Sequence, residues 1–147
     1  MASPIEVRYV LDTGILFPFI RQNPLGAWLE ETYRLTSSSS VPLISIVTVG
    51  ELRSLSLQLN WGGSKLKQLD QLLNRFVIIN LDFPNLIENY ALIDDYSIRK
   101  GANVGKNDIW IAATAATTGA RLLTSDKDFD HLSEEFLSRD YIDPNTK

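Results

Sequence analysis

The chain contains no cysteine, and that one absence removes disulfides, thiolate metal sites and cysteine nucleophiles together. Histidine is almost absent as well. His131 is the only one in 147 residues and sits among acidic and polar neighbours, so a paired-histidine nuclease or a histidine-rich metal centre is excluded. A solvated helix position accounts for it. No apolar run approaches the roughly 18 residues that cross a bilayer. The N-terminus has neither the basic start nor the long apolar stretch of a signal peptide, so a cytoplasmic location without membrane contact is expected. A basic surplus is missing too: the formal net charge is −4, and bulk electrostatics do not announce a nucleic-acid partner. Bound cations would invert the local field around an acidic site, so the sign of the total does not exclude one. Glycine-rich phosphate loops of the Walker or dinucleotide type are absent.

What is present fits one globular domain spanning residues 1–147. With 44% hydrophobic and 22% charged residues, a chain of this length is expected to bury roughly two-thirds of its unfolded surface in a single core. Residues 7–11 (VRYVL), 43–47 (LISIV), 77–81 (VIINL) and 121–124 (RLLT) are apolar and largely β-branched, the pattern of buried strands, and Tyr141-Ile142 suggests an edge strand. Between them lie helical patterns. Residues 13–20 begin a short helix with Thr13 as a possible cap, 25–35 carry Leu25, Trp28, Leu29 and Leu35 at helical spacing, and the serines at 37–40 with Pro42 end that pattern. Thr48 to Leu59, 65–76, and Pro84 to about Lys100 read as further helices, with Gly62-Gly63 and Gly101 as breaks. Asn107 is a candidate cap for the alanine-rich helix DIWIAATAATTGA, which leaves at Gly119, and Phe129 to Leu137 reads as a short last helix. Strands alternating with helical segments of this length predict an α/β fold with parallel, right-handed crossovers.

Four acids stand at strand-to-helix junctions: Asp12, Glu51, Asp108 and Asp126. In a parallel sheet the carboxyl ends of the strands share one edge, where ligands bind, so these carboxylates can converge. Converging carboxylates repel by several kcal/mol per close pair at an effective dielectric of about 20, and hard Mg²⁺ or Mn²⁺ relieves that with oxygen ligands. Three of them also have a plainer explanation, whereas Asp12 closes an apolar strand before a turn. Thr48-Val-Gly-Glu51 fits a capping box, Asp108 suits the positive end of a helix dipole, and Asp126 lies in SDKDFD, which suits a polar turn. Arg53, Lys65, Lys67, Arg99, Lys100 and Lys106 offer a phosphate track, although a solvated helix face is the simpler account of each.

Taken in order, YVLDTGIL, ISIVTVGEL, KNDIWIAATA and LLTSDKDF resemble the PIN domain family, and especially the bacterial VapC-like toxin ribonucleases. The resemblance implies a three-layer fold, a mainly parallel central sheet with helices on both faces, and carboxylates clustered at one end. It also implies Mg²⁺- or Mn²⁺-dependent cleavage of RNA to 5′-phosphate and 3′-hydroxyl products. By position, catalytic and metal-holding roles fall on Asp12, Glu51, Asp108 and Asp126, with Asp128 or Asp130 as a further acid. The toxin branch implies an antitoxin covering the acidic site with an arginine, and a homodimer. Two other readings are open: a non-catalytic PIN-fold module that binds RNA or protein, and an RNA-maturation nuclease without an antitoxin. Gly14 departs from the Asn or Ser that toxin-like members often carry two residues after the first acid, and the glycine common after the Glu is replaced by Arg53-Ser54-Leu55.

Overall fold

A computed structural model describes residues 7–37 and 39–146. Residues 1–6, on which the expectation of no leader segment rests, Ser38 of the serine run and Lys147 lie outside the described residues. Five short strands, β1 (Tyr9–Leu11), β2 (Leu43–Ser45), β3 (Val77–Ile79), β4 (Arg121–Thr124) and β5 (Arg139–Tyr141), form one sheet in the order β3-β2-β1-β4-β5. Every pairing is parallel. Helices α1 (Thr13–Arg21) and α2 (Pro24–Tyr33) connect β1 to β2, while α3 (Ile46–Gln58) and α4 (Gly63–Leu73) connect β2 to β3. Helices α5 (Leu86–Arg99) and α6 (Lys106–Thr118) then carry the chain back to β4 beside β1. The direction of winding therefore reverses at β1, and the crevice at the carboxyl ends of β1 and β4 is the topological switch point.

Alternation along the strands builds the three layers. Val10, Leu43 and Leu122 face α5 and α6, joining Ile93, Ile109, Ala112 and Ala113 in one core. Their neighbours Leu11, Ile44 and Leu123 face the opposite way and pack with Ile15, Leu29, Leu52 and Leu69 of the first four helices. Strands buried on both faces carry near-continuous apolar runs, which is why these segments are legible as strands at all. Each fully buried aliphatic side chain contributes about 1.5–3 kcal/mol relative to exposure. Gly26 sets the α1–α2 contact: a Cβ there would come within 2.5 Å of the Pro18 carbonyl oxygen.

Several boundaries differ from the sequence expectation, and the caps explain most of them. The second strand stops at Ser45 because the Ser45 hydroxyl accepts the Val47 N–H at 3.1 Å and starts α3 there, leaving Thr48 inside the first turn. Asp12, not Thr13, caps α1, with its carboxylate accepting the Thr13 N–H. Helix α6 begins at Lys106 with Gly105 at the cap, so Asn107 lies in its first turn. Gly119 does end that helix, at φ +74°. The expected last helix is a 3₁₀ helix over Lys127–Leu132, capped by Asp126. The edge strand exists and pairs with β4 over Arg139–Tyr141, starting two residues before the expected Tyr141-Ile142.

Candidate active site

Asp12 ends β1 with its backbone N–H still in the sheet, donating to Leu123 O at 3.0 Å, so its side chain has one direction in which to leave. It is 6% exposed. One carboxylate oxygen accepts the Thr13 N–H at 2.8 Å and the other accepts the Thr124 hydroxyl at 2.7 Å. Thr124 ends the neighbouring strand, and its hydroxyl also accepts the Asp126 N–H at 3.0 Å. A single buried threonine thus joins the first acid to the fourth. Asp126 in turn accepts the Asp128 N–H at 2.8 Å, which folds the following 3₁₀ turn back toward the sheet.

Glu51 reaches the same place from α3. Its carboxylate accepts the Thr13 hydroxyl at 2.7 Å, and Thr13 lies 3.1 Å from the Thr48 hydroxyl. The capping box expected for Thr48 and Glu51 does not form, because the cap is Ser45 and Glu51 sits in the second turn with its side chain committed across to α1. Asp108, in the first turn of α6, completes the set. All four expected acids line one cleft of about 530 Å³ together with Thr13, Gly14, Ser125, Lys127 and Tyr141. Of the two later acids, Asp128 has a carboxylate oxygen within 4.8 Å of those of Asp108 and Asp126, whereas Asp130 is paired with Arg139 at 2.5 Å. The space beside Gly14 is bounded by Ser125, whose hydroxyl would lie 3.4 Å from an added Cβ.

The electrostatic strain of this arrangement appears in the carboxyl groups themselves. Burial pushes Asp12 up to about 6, and the charges of Asp126 and Glu51 add to the rise against the hydrogen bonds from Thr124 and Thr13. Asp108 is pushed up to about 7, first by burial and then by Asp12, Asp126, Glu51 and Asp128. An all-oxygen, multiply negative donor set of this kind fits a hard divalent cation and lacks the nitrogen and sulfur ligands that favour zinc or copper. Among the described residues, the three carboxylates with oxygens within 4.8 Å of one another, the spacing one cation could bridge, are those of Asp108, Asp126 and Asp128, with Asp12 and Glu51 outside that group along the same cleft.

Five of the six flanking cations considered for a phosphate track have partners of their own. Arg53 pairs with Asp70 at 2.5 Å, Arg99 with Asp95 at 2.9 Å and Lys106 with Asp94 at 2.8 Å, while Lys65 and Lys100 lie over the rings of Trp61 and Tyr96. Lys127 is the cation inside the cleft, above the Tyr141 ring. His131 is not a solvated helix residue. It is half-buried, its Nε2 is 2.8 Å from the Ser97 hydroxyl, its ring stacks on Tyr96, and burial lowers its pKa. The residues that sequence reasoning missed are the supporting hydroxyls Thr13, Thr124 and Ser125 with Lys127 and Tyr141. The signal for Thr124 was its position at the end of the strand beside β1.

Thr124 offers a stability test of this support. Thr124→Val removes a hydroxyl from a fully buried site and is expected to cost about 1–3 kcal/mol at pH 8, because Asp12 and the Asp126 N–H both lose a partner. Thr124→Ser, which keeps the hydroxyl and loses one methyl, is expected to cost about 1 kcal/mol. Urea unfolding of the three proteins gives the comparison. A valine protein as stable as the parent beside a destabilised serine protein would show that the methyl, not the hydroxyl, is what matters.

An all-parallel sheet with helices on both faces and a carboxylate-lined cleft at its switch point places the protein among three-layer α/β folds. The chain belongs to the PIN domain family, whose sequence profile matches residues 9–135. It is similar to the ribonuclease VapC4 of Mycobacterium tuberculosis, 36% identical over 88 residues that cover 58% of this chain and 67% of that protein. It is also 26% identical over 119 residues to the ribonuclease VapC2 of Haemophilus influenzae, covering 81% of this chain and 86% of that one. Among solved structures, VapBC2 from Rickettsia felis bound to a DNA fragment from its promoter superposes with a TM-score of 0.79. The identity there is 23%, with 93% of this chain and 100% of that one covered, a likeness of fold. FitAcB from Neisseria gonorrhoeae gives a TM-score of 0.68 at 26% identity, covering 89% and 95%.

Proposed function

We propose that this protein is a divalent-metal-dependent endoribonuclease, the toxin of a type II toxin–antitoxin pair, built as one PIN domain. The observation that carries the reading is the convergence of Asp12, Glu51, Asp108 and Asp126 on one cleft. Relatives named VapC ribonucleases support the substrate and the reaction. Neighbours that are VapBC complexes support a protein partner. In this reading Asp12, Asp108, Asp126 and Glu51 are the catalytic residues and hold Mg²⁺ or Mn²⁺, with Asp128 at the rim. The bound ion supplies the positive charge that lowers the pKa of an attacking water and steadies the phosphate oxygens.

The chain's own part is positioning. Thr124 and the Thr13 N–H fix the direction of Asp12, the Thr13 hydroxyl fixes Glu51, and the Asp126 cap fixes the turn that carries Asp128. Preorganised groups of this kind need no rearrangement when charge develops at phosphorus. Lys127 gives the cleft a cation for a non-bridging phosphate oxygen. An antitoxin arginine would meet the carboxylates with charge-assisted, bidentate geometry. Homodimerisation belongs to the same reading, with Leu57, Ile87, Leu92 and Ile98, each more than half exposed, supplying apolar surface. The direct test is to incubate RNA with the protein and Mg²⁺ or Mn²⁺ and to determine the ends produced. Internal cuts with 5′-phosphates and 3′-hydroxyls are expected, and cyclic phosphates or exonucleolytic trimming would contradict the reading.

Glu51 separates a charge role from a hydrogen-bonding one. Glu51→Gln keeps an oxygen that can accept from Thr13, so stability is expected within about 0.5 kcal/mol of the parent. Cleavage is expected to fall at least about tenfold, because the lost charge weakens cation binding, and to recover in part at high Mn²⁺. Parent activity with unchanged metal dependence would remove Glu51 from the site.

A further inference from the structure

Beside the acidic cleft lies a second groove of about 490 Å³, lined by Val47, Gly50, Ser54, Gln58 and Asn107 and sharing Glu51 with the first. The sharing follows from two facing helices. Helices α3 and α6 pack together, and on each a consecutive pair divides between the two spaces: Glu51 and Asp108 line the acidic cleft, Gly50 and Asn107 the groove. The groove is therefore within reach of the unit adjoining a phosphate held at the acids.

The chemistry of the lining contrasts with that of the cleft. Apart from the shared Glu51 it is neutral, so it has no attraction for a second phosphate. It contains no aromatic ring, so it cannot hold a base by stacking on a side chain. What it offers is edges. The Asn107 side chain is exposed and has no hydrogen-bond partner among the described residues, leaving both a donor and an acceptor free. The Gln58 amide nitrogen donates to the Ser54 hydroxyl at 3.0 Å, which fixes that amide plane and leaves its carbonyl oxygen open. Gly50 leaves open space on the α3 side, with nothing within 4 Å of where a Cβ would stand. Val47 contributes apolar wall, and the volume falls within the roughly 300–1,000 Å³ of small-ligand clefts.

Resting on the nuclease reading, we propose that this groove is a nucleobase subsite in which the amides of Asn107 and Gln58 read the hydrogen-bonding edge of the base next to the phosphate held at the acids. The substrate is then an unpaired RNA segment, since only unpaired bases present those edges. Reading by edges rather than by stacking implies a base preference at one position beside the cut.

The test maps cleavage of a randomised single-stranded RNA pool by the parent, Asn107→Ala and Gly50→Leu in Mn²⁺. Leucine at an exposed interior helix position favours the helix over glycine, so this second variant fills the groove without endangering the fold. The parent is expected to prefer one base or base class by about tenfold at a position flanking the cut, and both variants to lose most of that preference. A parent profile without preference, or variants that keep the parent profile, overturns the subsite and leaves the nuclease reading standing. A parent that cuts no RNA overturns the nuclease reading, and the subsite with it. If Gly50→Leu keeps the parent profile but changes the oligomeric state in size-exclusion chromatography, the groove belongs to a second copy and the proposal is wrong.

Discussion

Asp108→Asn is expected to lower RNA cleavage by a hundredfold or more and, in the same protein without metal, to raise stability. The first effect follows from taking one charge out of a cation site whose contribution to lowering a barrier is several kcal/mol, each 1.4 kcal/mol being about tenfold in rate. The second follows from repulsion. Burial and four neighbouring acids push Asp108 up to about 7, so its ionised form is disfavoured in the folded state and an uncharged isostere relieves that cost. Asp12→Asn is expected to behave alike in activity. Its amide oxygen and NH₂ can still meet the Thr13 N–H and the Thr124 hydroxyl, the second of which reverses direction. A residue kept for structure alone would lose stability on replacement, so activity down and metal-free stability up together distinguish a site acid from a cap. Parent-level cleavage by both variants would refute the assignment of these two residues.

Metal binding and pH are expected to act on stability in opposite senses. Asp12 rises from 3.8 to about 6 and Asp108 to about 7 in the folded protein, so both bind protons more tightly folded than unfolded. Stability from this source is complete below about pH 4 and is lost as pH rises through 6 and 7. For Asp12, the shift of about two units amounts to about 3 kcal/mol, and the half-buried Asp108 adds less because solvent screens it. The metal-free protein should therefore melt at lower temperature at pH 8 than at pH 5. Saturating Mn²⁺ should close most of that gap, because the ion binds the ionised acids of the native state. At a hundred times its Kd it adds about 2.7 kcal/mol, or roughly 8 °C in melting temperature for a chain of this size. Coincident melts in EDTA and Mn²⁺ at pH 8 would argue against a preformed cation site.

The parts of this protein that the sequence discloses are those set by local pattern. Buried parallel strands leave apolar runs, so the cores of β1, β2 and β4 were readable, β3 was readable from its β-branched residues although Val77 and Ile78 are exposed at the sheet edge, and Gly119 marked the end of α6 through its positive φ. All four acids line one cleft, but only Asp12 and Asp126 follow strands; Asp108 follows the α5–α6 turn and Glu51 lies in the second turn of α3, so the expected strand-to-helix junction holds for two of them and helix packing brings in the others. What stayed hidden depends on which group captures which. Ser45 outcompetes Thr48 as a cap by accepting the Val47 N–H, and this frees Glu51 for a contact with Thr13, 38 residues away. The Thr124–Asp12 bond spans 112 residues and leaves no local trace. Asp128 and Asp130 look equivalent in SDKDFD. Only the 3₁₀ turn, and Arg139 arriving from β5, turn one toward the cleft and the other away. His131 seemed solvated for the same reason, since Ser97 and Tyr96 reach it from a distant helix.

One measurement bears most directly on the claim that this acidic cleft is a cation-dependent RNA-cleaving centre: a Mn²⁺ titration of RNA cleavage by the parent and by Asp108→Asn, starting from EDTA-treated protein. No cleavage is expected in EDTA, a saturable rise with Mn²⁺ is expected for the parent, and for the variant a curve displaced to higher Mn²⁺ with a plateau about a hundredfold lower. Cleavage that persists in EDTA, or superimposable curves for the two proteins, would contradict it.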